Sequence, residues 1–147
     1  MTNKLLFINI LILISSLFYC CEIETYDNGG IDGYWKLSEI DSISNGKELN
    51  LSDKSIFWAI QAKFIVVQNN NKDTDKIYLR FDYSGDSLTT HSPMFYDKLN
   101  GNIKINDISE LKEYGINKLE ESFFIENMTN KNLILKSDIV YLKFKKF

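Results

Sequence analysis

The chain has 147 residues, one proline and a net charge of −3, with 44% hydrophobic and 25% charged side chains. That is the size of one ordinary domain with a single core, and its mildly acidic, sign-interspersed surface excludes nucleic acid, which calls for a basic patch or stripe. The Lys143, Lys145, Lys146 cluster reads as a solvated strand end, and the only cysteines, Cys20 and Cys21, are neighbours, so no disulfide framework staples the fold.

From the N-terminus, basic Lys4 is followed by the apolar run Leu5 to Phe18 and then by the two cysteines. This is the order of a bacterial secretory signal ended by a lipobox, where the thiol is acylated and becomes the first residue of the mature chain. The run is too short for a spanning helix, which needs about 20 mostly apolar residues. An uncleaved membrane helix continuing through Tyr19 and the cysteines is the competing reading. Processing wants a small residue before the acylated cysteine, so Cys21, preceded by Cys20, is the expected lipidation site, with Cys20, preceded by bulky Tyr19, as the alternative. The expected organisation is a signal peptide over 1–20, a lipidated cysteine with a polar, glycine-bearing tether over 21–32, and one domain over 33–147. Acyl chains contribute roughly 0.8 kcal/mol per buried methylene. They would hold a water-soluble domain against a membrane of the cell envelope, expected to be the outer membrane.

Alternation of apolar and polar residues predicts an all-β, antiparallel domain. Tyr34–Ile40 is the first strand. Between Ile56 and Gln68 the even positions Ile56, Trp58, Ile60, Ala62, Phe64 and Val66 are all apolar, which predicts one long strand with that face in a core and Phe57, Ile65 and Val67 outward. Ile77, Leu79, Phe81 and Tyr83 share a face of the next strand, Ser84-Gly85-Asp86 turns the chain, and Ser87–His91 follows. Pro93 marks a bend or strand start. Asn100-Gly101 predicts a tight hairpin with positive φ at both turn residues, joining Met94–Leu99 to Asn102–Asn106. Asp107 as a cap, Glu110 three residues later and Gly115 at the end predict one short helix. Ser122–Met128, Asn132–Ser137 and Ile139–Phe147 complete about eight strands in mostly hairpin succession. Such a meander most naturally closes into an up-and-down barrel, which removes exposed edges; a small β-sandwich is the alternative.

Gly33-Tyr34-Trp35 near the start of the first strand resembles the Gly-x-Trp signature of lipocalins. That resemblance implies that Trp35, beside Gly33, closes one barrel end against a basic residue late in the last strand, a part that Lys143 or Lys145 would take. From the cysteines through Trp35 and the Trp58 strand to the terminal Leu142–Phe147, the chain resembles the short lipocalin-like lipoproteins of Bacteroidota-type bacteria. The resemblance implies a lipocalin-like barrel that binds a small apolar or amphipathic ligand, lined by the inward set Leu37, Trp58, Ile60, Ala62, Phe64, Leu79 and Phe81. Because an eight-stranded interior is just wide enough to be filled by side chains or to hold one small ligand, the alternative is a packed barrel that presents its outer face to another envelope protein. Trp35 reads equally well as plain core, and Trp58 reads better as core packing than as a ligand-stacking residue.

Catalytic chemistry has little to stand on. The only histidine, His91, has no nucleophile elbow and no downstream cysteine. Cys-x-x-Cys, His-x-x-x-His and calcium-loop spacings are lacking, and only Asp73 and Asp75 beside Asn69–Asn71 could weakly attract a cation. Glu120 and Glu121, adjacent on a strand, project to opposite faces and cannot share a substrate. The expectation is a protein that is not an enzyme and carries no cofactor or metal. Its expected partners are the membrane, through its lipid, and a small hydrophobic ligand or an envelope protein.

Overall fold

A computed structural model describes residues 27–97 and 99–147. The expected signal, Cys20, Cys21 and the first part of the expected tether lie outside the described residues. Among the described residues ten strands form: β1 Gly33–Ser42, β2 Glu48–Asn50, β3 Ile56–Gln61, β4 Phe64–Asn69, β5 Ile77–Ser84, β6 Ser87–Phe95, β7 Ile103–Lys104, β8 Glu121–Met128, β9 Asn132–Lys136 and β10 Val140–Lys146. The ring runs β1-β3-β4-β5-β6-β8-β9-β10 through antiparallel pairs, and β10 returns to β1 from Trp35↔Lys146 to Ser42↔Val140. Eight strands thus close a barrel without the open edges a sandwich would leave. The short β2 and β7 sit outside the ring, against the far halves of β1 and β6.

Alternation selects the inner face, as a period of two requires. Trp35 and Leu37 on β1, Ile77 and Leu79 on β5, Phe123 on β8, Leu133 and Leu135 on β9, and Val140, Leu142 and Phe144 on β10 are all buried in one contiguous core.

The stretch from Ile56 to Gln68 differs from the single strand expected there: it is a hairpin. β3 and β4 pair Ile60↔Ile65 and Trp58↔Val67, with Ala62 and Lys63 as the turn and Ala62 at φ 55°. After the turn the odd positions face inward, so Ile65 and Val67 are fully buried and Phe64 is outside. No glycine, asparagine or aspartate marks this turn, which is why composition does not announce it. Length was the available signal, since 13 residues far exceed the usual five or six of a strand.

Conversely, Ser87–His91 and Met94 onward are one strand, β6, bent at a bulge where Tyr78 and Arg80 pair with Met94 and His91. Ser92 (φ 52°) and buried Pro93 supply the extra length there, where the bulge already interrupts the pairing and a missing N–H costs the ladder little. The Asn100-Gly101 hairpin is looser than expected. β7 has two residues, Gly101 alone of the pair has positive φ, and the loop is held instead by Asp97, whose carboxylate accepts from the Leu99 and Asn100 amides.

The short helix forms as two consecutive 3-10 turns, Ile108–Glu110 and Lys112–Tyr114, capped by the Asp107 carboxylate and ended by Gly115 at φ 83°. It belongs to a strap, residues 105–120, that buries Ile105, Leu111, Tyr114 and Ile116 against the barrel core. Burial, and then the Glu113 carboxylate, push the Tyr114 phenol up to about 12. A group whose folded pKa is raised contributes stability in full below its ordinary value near 10 and loses it as the pH rises toward 12. Urea unfolding followed across that window should show the loss, and Tyr114→Phe should remove Tyr114's part of the slope.

Candidate functional site

At the barrel end where the chain enters, Gly29–Ile31 makes a 3-10 turn whose buried Ile31 offers its carbonyl to the Trp35 indole N–H at 2.8 Å. Lys146 Nζ lies 4.4 Å from the Trp35 ring centroid and donates to the Asp32 carbonyl at 2.7 Å. A Cβ at Gly33, where φ is +144°, would stand 2.5 Å from that ammonium, so glycine is what lets the lysine cross to the tryptophan. The basic partner of Trp35 is therefore Lys146, correcting the assignment to Lys143 or Lys145. Parity is the reason: Leu142 and Phe144 face inward, and Lys146 continues their face at the barrel rim while the odd-numbered lysines point outward. Lys146→Met should cost about 1 kcal/mol in urea unfolding, against less than about 0.5 kcal/mol for Lys145→Met; the opposite ranking would refute the assignment.

Lys143 instead stands on the outer wall, its Nζ 2.5 Å from Glu39 Oε1 and 2.8 Å from Asp41 Oδ2. The two carboxylates, Asp41 first, raise its pKa.

The other barrel end is covered by the strap, where the Trp58 indole N–H donates to the Tyr114 carbonyl at 3.1 Å. Between the two ends the interior is occupied by side chains. Trp58 meets Phe144 and Phe123 edge-on at 5.2 and 6.0 Å between centroids. Of the expected lining set, Leu37, Trp58, Ile60, Leu79 and Phe81 lie together in this core. Ala62 and Phe64 do not: Ala62 is in the β3–β4 turn, and Phe64 faces out beneath the Arg80 guanidinium, 5.6 Å from its ring centroid. One buried carboxylate escaped the sequence reading. Glu121, 1% exposed, accepts from the Asn117 amide at 2.6 Å through Oε2, and its Oε1 has no partner among the described residues. A charged residue at an inward strand position was the only hint.

The outer wall carries chemistry of two kinds. On β1 and β3, Tyr34 and Phe57 stack at 4.6 Å, and Phe147 sits edge-on to both. Phe57 is thus outward yet 4% exposed, and the Tyr34 hydroxyl accepts from the Gln68 amide. Across β1 lies a polar groove of about 500 Å³ that includes Glu39, Asn50, Asn127, Asn132, Lys143 and Lys145.

His91 has Ser92 Oγ 3.0 Å from Nδ1 and Asp82 Oδ2 3.4 Å from Nε2. The trio sits on the outer wall with the Asp82 side chain 85% exposed, where water screens the polarisation that acyl transfer requires. Asp73 and Asp75 share an open depression of about 360 Å³ with Glu110, Glu113 and Tyr114, and the Glu113 carboxylate there is held by Lys72 at 2.5 Å and by the Asn69 amide at 3.2 Å. Among the described residues no group of three or more His, Cys, Asp or Glu side chains could hold a metal ion, and no helix is long and apolar enough to cross a membrane.

The family model described as a lipocalin-like domain matches residues 15–147. Among solved structures, a lipocalin-like protein from Bacteroides uniformis is similar with a TM-score of 0.59 at 15% identity, over 81% of this chain and 100% of that one. An uncharacterized protein from Bacteroides eggerthii has a TM-score of 0.57 at 19% identity, over 79% of this chain and 98% of that one. At these identities the likeness is one of fold. No curated protein matches the chain.

Proposed function

The chain belongs to the lipocalin-like domain family, and from that membership we propose that it is a lipid-anchored protein of the bacterial envelope whose packed barrel binds its partner on the outer wall rather than a ligand inside. The observation that carries this reading is the occupied interior: Trp35, Trp58, Phe123 and Phe144 are each at most 2% exposed, and the strap adds Leu111, Tyr114 and Ile116 from the far end. An eight-stranded barrel filled to this degree is a core rather than a container. The carrier reading would need the strap to lift and aromatic rings to leave.

Lys4, the short apolar run and the cysteine pair support the anchor, with Cys21 as the acylated residue. The outer membrane is the destination this implies for an envelope lipoprotein. Exposed Phe147, backed by half-buried Tyr34 and buried Phe57, supplies the kind of aromatic anchor that protein partners use. The reading involves no catalytic step.

Two measurements test it. Mass spectrometry of the protein taken from its membrane should find an acylated N-terminus at Cys21. Titration with the fluorescent fatty acid cis-parinaric acid should leave Trp35 and Trp58 emission unquenched. Saturable, one-to-one quenching would restore the carrier reading.

A further inference from the structure

We propose that the groove running across β8, β9, β10, β1 and β2 on the outer wall binds a neutral, polyhydroxylated ligand, an oligosaccharide. This inference is independent of the aromatic wall and of the lipid anchor.

Two β-bulges aim side chains into the same place from opposite sides. One lies in β1 between Leu37 and Glu39 and the other in β8 between Ile125 and Asn127. Bulges re-aim residues at binding sites more often than chance would place them there; here they bring Glu39 and Asn127 to one groove of about 500 Å³. A second depression of about 460 Å³, containing Asp41 and Tyr141, continues it through the shared residues Asn127, Ile134 and Lys143. Each of the two volumes falls within the range of small-molecule sites.

The groove also has hydrogen-bonding capacity left over. Asp41 Oδ2 is taken by Lys143, and its Oδ1 is buried beneath the groove without a partner among the described residues, a rare condition for a buried acceptor. Asn50 spends its carbonyl on the amide and hydroxyl of Ser52, which leaves its NH₂ for a ligand. The side chains of Asn127, Asn132 and Lys145 have no partner among the described residues.

Charge and topology narrow the class. An anion would face Glu39, Asp41 and Glu126, while a cation would have to displace Lys143 from between two carboxylates. An apolar ligand would find Ile134, Tyr141 and Phe144 interrupted by Glu39, Asn50, Asn127, Asn132 and Lys143. An extended peptide adds along an unpaired strand edge, whereas the floor of the groove, β1, β9 and β10, is flanked by strands on both sides. What remains is a neutral ligand that both donates and accepts at closely spaced positions, which is the chemistry of vicinal hydroxyl groups meeting amides and carboxylates.

The test is amide chemical-shift mapping of the acylated full-length protein in zwitterionic micelles. The probes are cellohexaose, maltohexaose and xylohexaose, with an oligogalacturonate and an alanine-rich peptide as charged and peptidic controls. At least one neutral sugar should shift Ser38–Asp41, Asn127, Asn132–Ile134 and Lys143–Lys145. Asn127→Ala and Asn132→Ala, both at exposed positions, should each weaken its binding about tenfold with the melting temperature unchanged. The proposal is overturned if no neutral sugar binds, if only the charged or peptidic control does, if the shifts fall on Tyr34, Phe57 and Phe147, or if both variants bind as the parent does. A fatty acid entering the barrel would contradict the proposed function while leaving this groove untouched.

Discussion

Trp58→Ala is expected to lower the unfolding free energy by about 3–5 kcal/mol, the range for removing a large aromatic side chain from a core. The residue is 0% exposed, its ring meets Phe123 and Phe144, and its N–H satisfies the Tyr114 carbonyl under the strap. Truncation therefore leaves a cavity at the barrel centre and a buried carbonyl without its donor. Against a typical total of about 5–15 kcal/mol, the variant should be largely unfolded near physiological temperature. Urea denaturation followed by far-UV circular dichroism measures the loss. Trp58→Phe keeps most of the ring area and gives up the N–H, so it should lose about 1–2 kcal/mol, and the difference between the two variants apportions packing and hydrogen bonding. A loss under about 1 kcal/mol for the alanine variant would mean that the barrel is not packed on this side chain.

Gly115→Ala is expected to cost about 2–5 kcal/mol, from two sources that add. An L-residue at φ +83° gives up about 1–2 kcal/mol, and the new Cβ would collide with Leu142 Cδ2, an overpacking that costs a further 1–3 kcal/mol or so. The comparison is Gly85→Ala, at φ +61° with nothing near its Cβ position, which should lose only the backbone part, about 1 kcal/mol. Pairing Gly115→Ala with Leu142→Ala should give a non-additive result, because the two changes act on one contact. Equal losses at Gly115 and Gly85 would show that the strap does not press on β10.

Both predictions concern the strap, and its role shows where residue patterns stop being informative. Asp107, Glu110 and Gly115 mark a short helical segment by local capping chemistry, and that segment is where the pattern places it. That it lies across a barrel end, with Tyr114 receiving a hydrogen bond from a residue 56 positions away, is a matter of three-dimensional packing. The lining set shows the same limit. Leu37, Trp58, Ile60, Leu79 and Phe81 lie together because alternation within a strand is local, whereas Ala62 and Phe64 fall outside because an unmarked turn reverses the parity. The rim lysine was in principle legible: once Leu142 and Phe144 are inward, Lys146 shares their face. Its partner at the rim, the carbonyl of Asp32, was not.

By itself the sequence determined the antiparallel all-β class and most strand positions, which rest on the period-two pattern of side chains and on short-range turn chemistry; the place of Trp35 at the rim came from its resemblance to the Gly-x-Trp signature. Only the tertiary structure decided that the barrel interior is full, that the Asp32 carbonyl receives Lys146 at the rim, and that Glu39 and Asn127 converge on one groove. Filling depends on the volumes of residues brought together by ring closure and a strap, and convergence depends on two bulges in strands far apart in the chain, at Glu39 and Asn127. Neither quantity is carried by neighbouring residues, so neither could be read before the chain was folded.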